Sequence, residues 1–116
     1  MNDKNIILQV LFYRTSSGNE PVREWLLSLP QEYKKLIGSD IKTAQYGWPI
    51  GMPLIKKVDT KNKLWEVRTN LSDGIARVLF TISDDNMILL HGFIKKTQKL
   101  EKKELDLAIK RRKDLI

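Results

Sequence analysis

The sequence predicts an α+β domain: an N-terminal strand and a helical hairpin packed on a mostly antiparallel, twisted sheet, with a basic helix at the C-terminal end. Three observations predict it. The chain has 116 residues, one domain's worth, and 41% of them are hydrophobic, enough for one packed core. Apolar residues recur at helical spacing between Val22 and Ala44, and from Leu54 onward the period changes to two. Turn residues then divide the second half into short apolar runs, and strands joined by hairpins run antiparallel.

The first element is a strand. Ile6–Tyr13 is β-branched and aromatic, and the turn chemistry of Thr15–Asn19 ends it. Pro21 suits a first helical turn, with Asn19 or Glu20 as the cap. Val22, Trp25, Leu26 and Leu29 then make one apolar stripe on a short helix, which Pro30 breaks. A second helix starts near Gln31. Tyr33, Ile37, Ile41 and Ala44 lie on one line, and Lys34, Lys35 and Lys42 lie off it. Gly47, Pro49, Gly51 and Pro53 stop that helix and form a loop.

Leu54–Val58 is a short strand candidate and Leu64–Thr69 a stronger one. In the latter Trp65 and Val67 share one face, and Glu66 and Arg68 the other. Asn70–Gly74 makes a hairpin loop. Ile75–Ile82 follows, with Ala76, Val78, Phe80 and Ile82 on one side and Arg77 opposite. After a turn at Ser83–Asn86 comes Met87–Phe93, the most apolar strand. Gln98–Leu115 forms the last helix, with Leu105, Ala108 and Ile109 facing the core. All helices are expected on one face of the sheet. No repeat, linker or low-complexity tract divides residues 1–116, which form a single domain.

Charge narrows the function classes. There are 21 Lys and Arg against 14 Asp and Glu, a formal net charge of +7. Such a surface favours polyanions: RNA, DNA, an acidic protein or an anionic membrane. Lys95–Lys113 carries a net six of those seven charges. With no cysteine and only His91, disulfides and thiolate metal sites are excluded and a zinc site is not expected. No cofactor is expected. The opening residues lack a signal-peptide pattern, and no stretch has the roughly 20 apolar residues of a membrane span, so a cytoplasmic protein is expected.

Arg68 and Arg77 each interrupt an apolar strand, and pairing of those strands brings both to the face away from the core. Lys95 and Lys96 arrive at its edge. A sheet face lined with cations suits a phosphodiester backbone. The alternative is that Glu66 simply pairs with Arg68 or Arg77 across the strands.

LWEVR (Leu64–Arg68), ARVLF (Ala76–Phe80), ILLHGFIKKTQK (Ile88–Lys99) and the basic helix resemble the phage-derived branch of the HigB toxins, within the RelE/ParE superfamily. FYRTSSGNEPVREWLLSL (Phe12–Leu29) resembles that family's opening strand and helix start. LLHGFIKKTQK is the most specific stretch, and the likeness covers nearly the whole chain. Two positions depart from the pattern: Ala76 stands where a tyrosine is frequent, and Leu100 and Glu101 follow Lys99 where proline is frequent.

The resemblance implies a RelE/ParE-like fold and a toxin that cuts mRNA on the translating ribosome. It also implies a HigA-like helix-turn-helix antitoxin, through which the complex binds its operator DNA. Such an enzyme is a metal-independent endoribonuclease that uses the 2′-OH as nucleophile. By motif match Glu66, Arg68, Arg77, Lys95 and Lys96 occupy the recurrent polar positions. Arg68, Arg77 and Lys96 are the expected phosphate-stabilising residues. The base is His91 or Glu66, or the ribosome alone arranges the attack. Lys95, Lys99, Lys102 and Lys103 are expected to bind RNA, and Trp48, in the Gly/Pro loop, to stack on a base. Two other readings stand beside this one: a ParE-like DNA gyrase poison, and a non-catalytic nucleic-acid-binding module.

Overall fold

A computed structural model describes residues 7–96 and 100–115. Its elements follow the order β1 (Gln9–Phe12), α1 (Pro21–Leu27), α2 (Gln31–Gly47), β2 (Ile55–Asp59), β3 (Leu64–Leu71), β4 (Gly74–Ser83), β5 (Asn86–Lys95) and α3 (Lys102–Lys113). The expected strand start at Ile6 and helix start at Gln98 lie outside the described residues. The five strands form one sheet in the order β1-β5-β4-β3-β2. Neighbours are antiparallel except β1, which runs parallel to β5. The architecture is the α+β arrangement expected, consistent with a small RelE-like domain.

Local chemistry explains the punctuation. Pro21 occupies the first turn of α1, where no partner exists for an N–H. Glu20 is the N-cap and its side chain does not bond the helix end; the Glu24 carboxylate instead accepts the Glu20 N–H at 3.3 Å. The β3–β4 loop tightens to two residues, Ser72 and Asp73, and the Tyr33 hydroxyl of α2 donates to the Asp73 carboxylate there. At the β4–β5 turn Asp84 adopts φ +55°, a left-handed conformation that aspartate tolerates better than most residues.

The helices do not share one face. Val22, Ile37, Ile41 and Ala44 of the α1–α2 hairpin pack on Val67, Ala76, Val78, Phe80, Met87 and Leu89. Ala108 of α3, with Leu105 and Ile109, packs on Leu64, Leu79, Ile88, Leu90 and Phe93, which alternate with the first set. α3 therefore covers the opposite face. The physical reason is that β4 and β5 are apolar on both sides, and a sheet apolar on both sides must be covered on both. Each large side chain buried this way is worth about 1.5–3 kcal/mol.

Polar contacts pin α3 down. Arg111 donates to the Leu90 carbonyl at 2.8 Å and stacks over the Tyr13 ring. The Tyr13 hydroxyl donates to Asp114 at 2.8 Å, and that bond, with a smaller contribution from burial, holds its pKa above the usual phenol value. Arg112 reaches the Thr81 hydroxyl at 3.3 Å. Among the described residues no helix is long and apolar enough to cross a membrane.

Candidate functional site

α3 covers only part of its face. Strand register defines what lies beyond it. One row across the sheet reads Lys56, Glu66, Leu79, His91. The next reads Arg68, Arg77, Phe93, and the third Asn70, Ile75, Lys95. The period of two sends all of these side chains toward the α3 face. A bulge opposite Leu79 adds one residue to β5, so Leu90 packs under α3 and His91 also meets that helix.

Glu66 is the centre of the charge cluster. It is fully buried, and its Oε1 lies 3.6 Å from both Arg77 Nη1 and Arg68 Nε. Neither Glu66 oxygen has a hydrogen-bond partner among the described residues. Desolvation raises its pKa above the usual carboxylate value, and outweighs the opposing pull of Arg77, Arg68 and Lys56. Burial was the effect that could not be read from the pairing pattern.

Arg77 is also fully buried, whereas the Arg68 side chain keeps 12% of its surface exposed. Arg68 lines a hollow of about 530 Å³ where β2 leaves the edge of β3. Lys95 is partly exposed, and its ammonium bonds Glu101 at 2.8 Å. Lys96 follows the last strand residue and is exposed, one position outside the row that holds Lys95. The structure thus brings Arg68 and Arg77 together on Glu66, places Lys95 in the next row of the same face, and leaves Lys96 exposed past the end of β5.

His91 lies at the junction of sheet and helix. Its Nε2 is 2.7 Å from Glu104 Oε1 of α3, and its ring stacks on Phe93 at 5.2 Å. Both partners of the pair keep a little exposure, 15% for His91 and 14% for Glu104. A histidine held by a carboxylate has a fixed ring orientation, which a proton-transferring group needs.

The other expected contacts are more dispersed. Lys102 and Lys103 are exposed at the start of α3, where Lys102 pairs with Asp106 at 2.8 Å and Lys103 with Glu101 at 3.8 Å. Lys99 lies outside the described residues. Trp48 packs edge-on against Trp65 at 5.1 Å and Phe80 at 5.7 Å, in the core under α2, on the side of the sheet away from the arginines. Its ring is engaged by the core rather than presented for stacking. Lys56 and Glu104 were not anticipated. The alternation in Leu54–Val58 pointed to Lys56, since a strand there puts it beside Glu66; nothing in the sequence pointed to Glu104.

No curated protein matches the chain. A family model described as "Phage derived protein Gp49-like (DUF891)" matches residues 24–113, which span the helical hairpin, strands β2–β5 and α3. The chain therefore belongs to the Gp49-like phage-derived family, a toxin-like family of the RelE/ParE type whose members are often toxins of toxin–antitoxin systems.

Proposed function

We propose that this chain is a HigB-type toxin: a metal-independent endoribonuclease that cuts mRNA on the translating ribosome and is silenced by a HigA-like helix-turn-helix antitoxin. The observation that carries the reading is the row Arg68–Arg77 with Lys95 in the next row, on the α3 face of the sheet, where Arg77 is buried and Arg68 and Lys95 keep partial exposure. Family membership and the +7 charge support it.

The chemistry needs three things. The 2′-oxygen must lose its proton and attack the adjacent phosphorus. The extra negative charge on the phosphate must be stabilised. The bond to the 5′-oxygen then breaks, and that oxygen takes a proton. Lys95 and Arg68, both partly exposed, are the cations that meet the phosphate. Arg77, buried against Glu66, positions Arg68 from behind. His91 takes the 2′ proton, with Glu104 orienting its ring. Glu66 is too deeply buried to reach a 2′-OH.

Brief expression in cells followed by mapping of new RNA 5′ ends tests this. Cuts in phase with codons are expected. Arg68→Ala should lower cleavage about 10²–10³-fold, the usual loss when one charge-stabilising donor is removed. DNA damage without RNA cuts would replace the nuclease with a gyrase poison. Salt-sensitive RNA binding with neither effect would leave a binding module.

A further inference from the structure

Resting on the nuclease reading, we infer that the hollow beside Arg68 is a nucleobase site selective for guanine, which seats the base next to the phosphate to be cut. The hollow measures about 530 Å³, within the range that takes a small ligand. Its walls come from α2, the loop before β2 and the β3–β4 hairpin. Met52, Leu54 and Ile75 give it apolar surfaces, between which a flat ring loses water on both sides. Met52 is 61% exposed, so one wall is open to an incoming base.

The polar lining selects among bases. Asp40 from α2 and Arg68 from β3 put an anion and a cation in the same hollow, with Asn70 beside them. Guanine offers two adjacent donors, N1–H and N2–H, to a carboxylate, and two adjacent acceptors, O6 and N7, to a guanidinium. Adenine sets its N1 acceptor against the carboxylate. Cytosine can present N3 and O2 to the guanidinium, but gives the carboxylate only the single donor N4–H. Uracil has one donor between two acceptors. Only guanine gives each charge two hydrogen bonds. Arg68 belongs both to this hollow and to the Glu66–Arg77 cluster, so a base here holds its own phosphate at the cations.

Titration of the full chain with the four ribonucleoside 5′-monophosphates, followed by NMR or calorimetry, tests the site. All four carry the same phosphate, so differences report the base. Guanosine monophosphate should bind at least about ten-fold tighter than the others, and Asp40→Asn should abolish that preference. Equal binding of all four, or a preference unchanged in Asp40→Asn, overturns the proposal. The ranking by the unmodified chain decides even if the variant does not fold. Mapped RNA ends supply the second arm. A guanine at one fixed position beside the cuts supports the site as a selector of substrate. Cuts with no fixed guanine overturn it and leave the nuclease reading intact. Guanine preference without any cleavage leaves the base site standing and removes the nuclease reading.

Discussion

Glu66 and Arg77 are both fully buried, and their nearest charged atoms stand 3.6 Å apart. A buried pair of this kind is weak evidence for stability in itself, but breaking it from one side leaves an uncompensated charge. Arg77→Met should therefore lower stability at pH 7 by about 3–5 kcal/mol. The loss should shrink as pH falls. Glu66 has its folded-state pKa raised by burial, so it is protonated in the fold at pH values where the unfolded chain still ionises it. Its contribution is present below the unfolded carboxylate pKa and is lost as pH rises through the folded one. Urea unfolding of both proteins at pH 5 and pH 7 measures the difference; a gap that widens toward pH 5 contradicts this account. The His91–Glu104 pair allows a separate test. Glu104→Gln should flatten or shift the pH profile of cleavage while leaving RNA affinity within about two-fold, since Glu104 acts on proton transfer through His91. A variant with an unchanged pH profile would remove Glu104 from that role.

Gly92 joins two elements. It lies on β5 directly under Trp25 of α1, so close that a methyl group at its Cα would run into the indole ring. Gly92→Ala should then cost about 1–3 kcal/mol through overpacking, read as a lower midpoint in urea with little change in slope. A midpoint equal to that of the unmodified chain would show that α1 moves aside freely. The glycine was visible in the LLHGF motif, but the reason for it was not, because the contact joins residues 67 positions apart. The same limit governs the rest of the chain. Local pattern placed every described helix and strand and put Arg68 and Arg77 on one face, because alternation and turn residues act over a few positions. It misplaced α3, whose apolar stripe says that it docks but not on which side. The signal lay in β5, where Met87–Leu90 runs without alternation and so announces cover on both faces. Glu104 stayed hidden because its meaning comes only from meeting His91 across that interface.

At the scale of the whole molecule, α3 turns one chain into a protein with two unlike sides. The α1–α2 hairpin packs on one face of the sheet and α3 on the other, and Lys56, Arg68 and Lys95 lie on the α3 face. RNA affinity should then depend on where a cation stands and not only on the total of +7. For single-stranded RNA, each phosphate neutralised contributes about 0.7 to the slope of log affinity against log salt. Lys56→Ala and Lys95→Ala should each flatten the slope by about that amount. Lys35→Ala, on the exposed side of α2, removes the same charge from the opposite side and should leave the slope unchanged. Fluorescence anisotropy of a labelled RNA across a salt series checks all three. Equal flattening by Lys35→Ala would mean that RNA responds to net charge alone and that the α3 face is not its binding surface.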